Sequence, residues 1–150
     1  MDDINLIGNE KGATVVETAI IIMLLFVFIF GIIEFGLLLF NKHLITNASR
    51  EGARAGIVVG LDRSDPADPN YYVTEFKSEA FHFCTEHLVS FGSNIPYIDP
   101  PYFIDRDGNG IPSRGDDLTL HLNYDYDFLF LSAFGIGPVH LDADTIMKFE

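Results

Sequence analysis

The sequence predicts an α+β protein in which a long N-terminal helix of the transmembrane type precedes a small globular head with one further helix and a short antiparallel sheet. Residues 18–41 carry a single charge, Glu34, and a helix of about 20 apolar residues is long enough to span the hydrocarbon core of a bilayer. Apolar residues then recur at helical spacing over residues 71–91 and alternate with polar ones over residues 118–127, which is typical of a half-buried helix and a half-buried strand.

The long helix is expected to follow a short leader. Residues 1–12 are polar, lack a repeating pattern and end in Gly12, so we expect them to be disordered or removed. The helix is predicted over residues 13–56, with its membrane part at about residues 15–41.

A stripe of small residues marks the second half of this helix. Ala48, Gly52 and Gly56 recur every four residues and therefore lie along one face. Because these side chains are small, we expect another element to pack closely against this face.

The head domain is predicted over residues 57–150 and begins with a loop rich in proline and aspartate at residues 62–70. The helix over residues 71–91 is expected to stop at Gly92, and a proline-bearing connection follows over residues 94–101. Three strands are predicted in the remainder, with a possible fourth left open, at residues 102–104, 118–127 and 139–149.

Composition narrows the possible functions. The net charge of −13, from 22 acidic residues against nine Lys and Arg, repels phosphate backbones, so we expect no nucleic-acid partner. The single Cys84 excludes an internal disulfide and is expected to be a small buried hydrophobe. The sequence contains none of the common catalytic motifs, and its five His residues are scattered, so we expect no enzymatic activity.

Residues 105–116 follow the spacing of an EF-hand calcium loop, with Gly110 at the turn position. The closing residue is Asp instead of the longer Glu, and the flanks are predicted strands instead of helices. A β-turn held by Asx-type hydrogen bonds explains the same residues, so calcium and a plain turn stay open as alternatives. The candidate Ca²⁺ ligands are Asp105, Asp107, Asn109, Ile111 (through its carbonyl) and Asp116, with Ser113 at the ninth position of the loop.

Two acidic residues stand out in the apolar helix. If the chain were cut after Gly12, Ala13 would carry a new α-amine one helical turn from Glu17, and in a staggered stack this amine would meet Glu17 of the next subunit. Glu34 lies towards the far end of the apolar run, where a charge needs a partner, which indicates a contact between helices. The alternatives are an interface residue at the membrane edge for Glu17 and a protonated side chain on a simple anchor for Glu34.

Four stretches together carry a family resemblance: residues 12–19 (GATVVETA), 31–36 (GIIEFG), 47–55 (NASREGARA) and 143–150 (ADTIMKFE). They resemble the TadE-like (tight-adherence) pseudopilins, a type IV pilin-like family, most strongly over residues 11–56. One departure is Thr18, where many family members carry Phe.

The resemblance implies a filament subunit that begins as a bacterial inner-membrane precursor. A prepilin peptidase would cut between Gly12 and Ala13, and a pilus assembly platform would extract the mature subunit into an extracellular type IV-like (Tad) pilus. Copies of the chain or other pilins would contact it through the N-terminal helix at Ala13, Glu17 and Glu34, and the head would be extracytoplasmic.

Two other functions remain open. One is an uncleaved single-pass membrane protein with a pilus-assembly head in the periplasm, and the other is a membrane-tethered module for calcium-dependent binding. The positive-inside rule opposes an extracytoplasmic head, since Lys11 precedes the helix whereas Lys42, Arg50 and Arg54 follow its membrane part.

Overall fold

The computed structural model describes residues 7–61, 71–108, 110 and 113–149. The predicted α+β class is confirmed in these residues, and the sheet has four strands. The predicted loop at residues 62–70 lies outside the described residues. The elements are α1 (Ile7–Leu61), α2 (Tyr71–His87), β1 (Tyr97–Ile98), β2 (Tyr102–Ile104), β3 (Asp117–Tyr126), a 3-10 helix (Leu131–Phe134) and β4 (Val139–Lys148).

The chain divides into two compact units, Met1–Gly36 and Leu37–Glu150. The helix α1 extends further than predicted at both ends. It already includes residues of the predicted leader from Ile7 onwards, since the helical cost of a glycine such as Gly12 is only about 1 kcal/mol. Beyond residue 56, Ile57 packs against the hydrophobic core of the second unit, which favours continuation of the helix.

Within the first unit α1 is apolar on nearly every side. The side chains of residues 12–29 are exposed, and they include large aliphatic and aromatic groups. A helix that is apolar all round requires burial in lipid or among other helices. Among the described residues α1 is the one helix that is long and apolar enough to cross a membrane, over Gly12–Val58.

Within the second unit the later part of α1 packs on the sheet. Ile45 and Ala48 belong to the same buried cluster as the core residues of the strands, and Gly52 and Gly56 are buried as the small-residue stripe predicts. Ser49 Oγ donates a buried hydrogen bond of 2.7 Å to Thr145 on β4. At this contact, the element that packs closely against the stripe of small residues is therefore the sheet.

The sheet is built around β3. The strand β4 pairs with it antiparallel over its whole length, from Asp117 opposite Lys148 to Tyr126 opposite Val139. The short strands β1 and β2 both pair antiparallel with β3 as well. Because β4 occupies one edge of β3 completely, β1 and β2 follow each other along the opposite edge.

A bulge separates β1 from β2 on that edge. Ile98 lies opposite Leu122, whereas Tyr102 lies opposite Thr119, so one extra residue is accommodated between them. Pro100 is one of two prolines in this gap, and a residue without an N–H donor is tolerated at a bulge on an edge strand. The structure thus adds β1 where we predicted only a connection.

The predicted alternation in β3 is confirmed. Its inward residues are fully buried and pack with Ala80 and Cys84 of α2, as well as with Leu141 and Ala143 of β4. Thr119, which alternation places on the other face, is also buried; it lies opposite Tyr102 of β2 in the sheet. The inward residues of β3 are Leu118, Leu120, Leu122, Tyr124 and Tyr126.

The helix α2 ends at His87 and not at Phe91, so the predicted stop at Gly92 is wrong. The reason lies far away in sequence. The Asn41 side chain of α1 donates to the carbonyl of Val89 at 2.7 Å and accepts from its N–H at 3.1 Å. Both backbone groups of Val89 are therefore satisfied by α1 and not by a further turn of α2.

Candidate functional site

The predicted processing junction lies on an exposed stretch of α1. Gly12, Ala13 and Glu17 are all exposed, and within the described part of the chain no atom other than those of near neighbours lies within 4 Å of the position that a Cβ on Gly12 would take. Ala13 and Glu17 are four residues apart and so lie on the same side of the helix. Ala13 and the Glu17 carboxylate are thus exposed on the same side of the helix.

Thr18 next to this junction satisfies its own hydroxyl group. Its Oγ1 donates to the backbone carbonyl of Thr14 at 2.8 Å. Because the hydrogen bond stays within one helix, the hydroxyl enters an apolar environment without an unsatisfied donor. This contact explains how Thr at this position is compatible with a membrane helix.

An apolar notch interrupts the surface of the same helix at Gly31. It is lined by Val27, Phe28, Gly31, Ile32 and Phe35. A glycine among bulky side chains leaves a depression on the helix surface, and small residues at such positions allow close helix approach in membranes.

Glu34 differs from Ala13 and Glu17 in its environment. Its side chain is only 2% exposed within the single chain, and it takes part in an interaction there. A contact of Glu34 with another subunit would require its carboxylate to become accessible first. Of the three residues predicted to take part in assembly, Ala13 and Glu17 are thus exposed and Glu34 is buried.

The structure brings three of the predicted calcium ligands together in the hairpin between β2 and β3. One carboxylate oxygen from each of Asp105, Asp107 and Asp116 lies within 4.8 Å of the others. The strands position them, because Ile104 at the end of β2 pairs with Asp117 at the start of β3. The predicted ligands Asn109 and Ile111 lie outside the described residues.

Asp105 organises the first half of this hairpin loop. Its two oxygens accept hydrogen bonds from the backbone N–H groups of Gly108 at 2.6 Å and Gly110 at 2.7 Å. Both glycines have positive φ, 76° and 75°, a conformation that residues with a side chain adopt only at a cost. The Asx-type turn predicted as the alternative is therefore present, and it coexists with the carboxylate cluster.

Asp116 organises the second half. Its Oδ1 accepts from the Arg106 N–H at 2.8 Å, and its Oδ2 accepts from both the N–H and the hydroxyl of Ser113 at 2.9 Å. The pKa of Asp116 is lowered, chiefly by the Arg106 hydrogen bond and also by those from Ser113, although burial and the negative charge of Asp105 act in the opposite direction. The Asp116 carboxylate is consequently held in its ionised form.

Ser113 lies between two carboxylates. Its Oγ is 2.8 Å from Asp107 Oδ2 and 2.9 Å from Asp116 Oδ2. A hydroxyl has one hydrogen and can donate to only one of these oxygens at a time. Ser113 thus bridges Asp107 and Asp116, and carboxylate oxygens are the kind of ligand that Ca²⁺ prefers.

The base of the loop is fixed by contacts that the sequence analysis missed. The Arg106 guanidinium donates from Nε and Nη2 to Asp117 Oδ2. Gly115 N–H donates to the Phe149 carbonyl at 2.8 Å, and Phe149 N–H donates to the Asp116 carbonyl at 2.9 Å. The end of β4 therefore holds the second half of the loop.

The polar face of the sheet carries two further pairs that were not predicted. His121 contacts Asp144, and His140 contacts Asp125 at 2.8 Å. In each pair the residues lie directly opposite each other on β3 and β4. Strand alternation would have placed these residues on one face, but their pairing depends on the register, which the sequence does not reveal.

The comparisons with known proteins concern the N-terminal part of the chain. The family model described as TadE-like protein matches residues 12–54. The N-terminal segment is thus similar to the TadE-like family. The resemblance derived from the sequence motifs is thereby confirmed over this segment, which includes Gly12, Glu17 and Glu34. No curated protein and no solved structure matches the chain.

The segment matched by the family model extends from the first unit into the second. It contains the exposed apolar surface of the first unit, and it continues through Ala48 and Ser49, which pack on the sheet in the second unit. The carboxylate cluster lies outside the matched residues, so it has no support from the family match.

Proposed function

We propose that the chain is a subunit or pseudopilin of a type IV-like (Tad) pilus, cleaved after Gly12 by a prepilin peptidase and assembled into an extracellular filament through its apolar helix. The supporting observation is the position of Glu17. This exposed carboxylate lies one turn after Ala13, at the start of an exposed apolar helix and inside the TadE-like segment. A new α-amine at Ala13 would compensate such a charge in an adjacent subunit.

The apolar helix supports assembly on energetic grounds. Its exposed side chains require a bilayer before assembly and neighbouring helices afterwards. The notch at Gly31 provides a position for close contact, and the inner membrane, the assembly platform and other pilins are the corresponding partners. In this proposal the head is extracytoplasmic and the role is structural, without catalysis.

Processing is tested by substitution at the junction. We expect Gly12→Leu to block cleavage, because prepilin cleavage would require a small residue there, and to leave full-length protein in the membrane. Gly8→Leu places the same side chain four residues earlier and should leave cleavage intact. Intact-mass analysis distinguishes the two; equal processing of both variants would contradict a cut after Gly12.

We further propose that the loop over residues 105–116 binds Ca²⁺ through Asp105, Asp107 and Asp116, with Asn109 and the Ile111 carbonyl as additional ligands. Support comes from the three carboxylates within 4.8 Å of one another and from the Ser113 hydroxyl that bridges two of them. Exterior calcium at about millimolar concentration would occupy even a weak site.

Calorimetric titration of the full-length protein in detergent with CaCl₂ tests this proposal. We expect binding heat for the unmodified chain and for Glu79→Gln, which changes an exposed carboxylate on α2, and at least tenfold weaker binding for Asp107→Asn. An absence of heat and of a melting shift at millimolar Ca²⁺ would leave the Asx-type turn as the complete explanation of the loop.

The uncleaved single-pass protein remains the alternative candidate, favoured by the uninterrupted helix across the junction from Ile7 to Leu61. The Gly12→Leu experiment separates it from the filament subunit, since an uncleaved protein has the same N-terminus with and without the substitution.

A further inference from the structure

The connection between β3 and β4 is unusually apolar for a surface segment. Residues 128–138, here called the apolar loop, contain no ionisable side chain, although acidic residues are abundant elsewhere in the chain. Large side chains in it are nevertheless exposed: Leu129 at 49%, Phe134 at 66% and Ile136 at 47%. Exposed apolar groups at this density indicate an interaction surface.

The apolar loop has a defined conformation that presents these side chains outward. Its 3-10 helix is capped at the C-terminal end by Gly135, whose positive φ of 79° is accessible to glycine. The N–H groups of Gly135 and Ile136 donate to the carbonyls of Ser132 and Leu131, and the rings of Phe130 and Phe134 meet edge to face at 5.3 Å. The backbone of the loop tip thus satisfies part of its own hydrogen bonding while Phe134 and Ile136 remain accessible.

Contacts within the second unit locate the loop relative to α1. Lys42 reaches the backbone carbonyl of Asp142 on β4, and Ser49 reaches Thr145. From Lys42 to Ser49 the helix rises about 10.5 Å over seven residues, and from Asp142 to Thr145 the strand rises about 10 Å over three residues. This part of α1 therefore runs beside β4 in the same direction, and Leu37 lies towards the end of the sheet where β4 begins and the apolar loop is attached.

A second segment with exposed apolar residues lies at the same end of the sheet. Asn94 donates to the carboxylate of Asp127 at 2.8 Å and to the carbonyl of Asp125 at 3.2 Å, just before the apolar loop. The next residue, Ile95, is exposed. This end of the second unit thus carries apolar side chains from two separate segments.

The second unit is connected directly to the apolar helix along the chain. Leu37 follows Gly36 directly, and the residues before Gly36 form the apolar helix that is able to cross a membrane. When α1 is inserted, the end of the second unit that carries Leu37 must lie close to the bilayer. We propose that the apolar loop docks on the bilayer that α1 crosses, with Phe134 and Ile136 at the boundary between headgroups and acyl chains.

The chemistry of the loop specifies the kind of membrane surface. Because it carries no charge, its contact draws on apolar burial and not on anionic headgroups. The net charge of −13 would disfavour a strongly anionic surface. Neutral phosphatidylcholine should therefore be sufficient. The inference requires insertion of α1, but it requires neither cleavage nor filament assembly.

A single introduced tryptophan tests the docking, because the natural sequence contains none. Phe134→Trp reports on the apolar loop, and Ile146→Trp is a matched control on the polar sheet face, since the two native side chains are 66% and 65% exposed. Phe28→Trp reports on insertion of α1. Each full-length variant is reconstituted in phosphatidylcholine vesicles with and without lipid brominated along its acyl chains.

We expect blue-shifted emission and quenching by brominated lipid for Phe134→Trp, and neither for Ile146→Trp. Quenching of Phe28→Trp alone would overturn the docking while leaving the membrane anchor intact. A blue shift of Phe134→Trp that grows with the protein-to-lipid ratio and shows no lipid quenching would identify a second copy of the chain as the occupant, and would also overturn the proposal. If Phe28→Trp is not quenched either, insertion itself fails and the inference fails with it.

Discussion

Asp116 is the residue on which the hairpin loop between β2 and β3 depends most directly. It is buried, and its carboxylate accepts three hydrogen bonds, from Arg106 and Ser113. Hydrogen bonds to the ionised form lower the pKa of this group below its ordinary value of 3.8. A lowered pKa in the folded state stabilises the fold above the pKa of the unfolded chain, and that contribution is lost as the pH falls below 3.8 through the folded-state value.

We therefore expect Asp116→Asn to lower the melting temperature at pH 7, because the amide offers a single acceptor oxygen and places N–H donors opposite the Ser113 or Arg106 N–H. The loss of stability between pH 7 and pH 3 should be smaller in the variant than in the unmodified chain. Thermal unfolding in detergent with a calcium chelator measures both. Identical pH dependence of the two proteins would contradict this role of Asp116.

Cys84 illustrates the effect of burial on a different group. The thiol is 1% exposed, and desolvation raises its pKa to about 12. At pH 8 the folded protein then holds about 10³-fold less thiolate than a thiol of ordinary pKa, and the thiolate is the reactive species. The stabilisation from burying the neutral thiol is present below about pH 9 and is lost as the pH rises towards 12.

We expect the folded protein in mild detergent to react with a maleimide at pH 8 at least 100-fold more slowly than the protein unfolded in guanidinium chloride. Stopped reactions followed by mass spectrometry give both rates, and Cys84→Ser controls for reaction at other groups. Equal rates in the two states would contradict the burial of Cys84.

Among the structural elements, α1 combines two kinds of surface in one helix. Its early residues carry exposed apolar side chains, whereas Ala48 and Gly52 are buried. At Ala48 the packing leaves no exposed surface at all, and an added side chain must displace its neighbours in the core.

Ala48→Leu should therefore destabilise the protein by about 1–3 kcal/mol, the usual effect of overpacking. Glu51→Leu, an exposed position one turn away, is the matched control and should change the free energy of unfolding by less than about 0.5 kcal/mol. Denaturant unfolding of the full-length chain in detergent provides the comparison. Equal stability of the two variants would mean that residue 48 does not contact the core.

Local patterns predicted the elements whose determinants lie within a few residues. Alternation identified β3 and β4, and the small residues from Ala48 identified the packed face of α1. The end of α2 could not be predicted in this way, because Asn41 holds Val89 from 48 positions away. The strand β1 was missed because it has two residues and depends on pairing with β3.

The candidate sites were predictable to different degrees for the same reason. Spacing along the chain was enough to select Asp105, Asp107 and Asp116, since one hairpin holds all of them. The contact of Arg106 with Asp117, and that of Phe149 with the loop, depend on strand register and on the end of β4. The burial of Glu34 was likewise invisible in a sequence pattern that showed only a charge within an apolar run.

At the scale of the whole molecule, the apolar helix and the acidic head impose different requirements. The exposed side chains of the first unit need lipid or other helices, and the charge of −13 favours a solvated head. In the proposed function, a precursor held in the membrane and a mature subunit held in a filament would satisfy these requirements in turn. In this proposal the difference between the two states arises at a single peptide bond, between Gly12 and Ala13.

The N-terminal sequence of this protein in filaments sheared from the cell surface tests that claim most directly. The proposal predicts that filaments visible by electron microscopy contain the chain and that its first residue is Ala13. Glu17→Gln should leave this cut intact while reducing the filaments, because it removes the charge that compensates the new amine. A chain that begins at Met1 and remains in the membrane fraction, with no copies in the sheared material, would contradict the proposal.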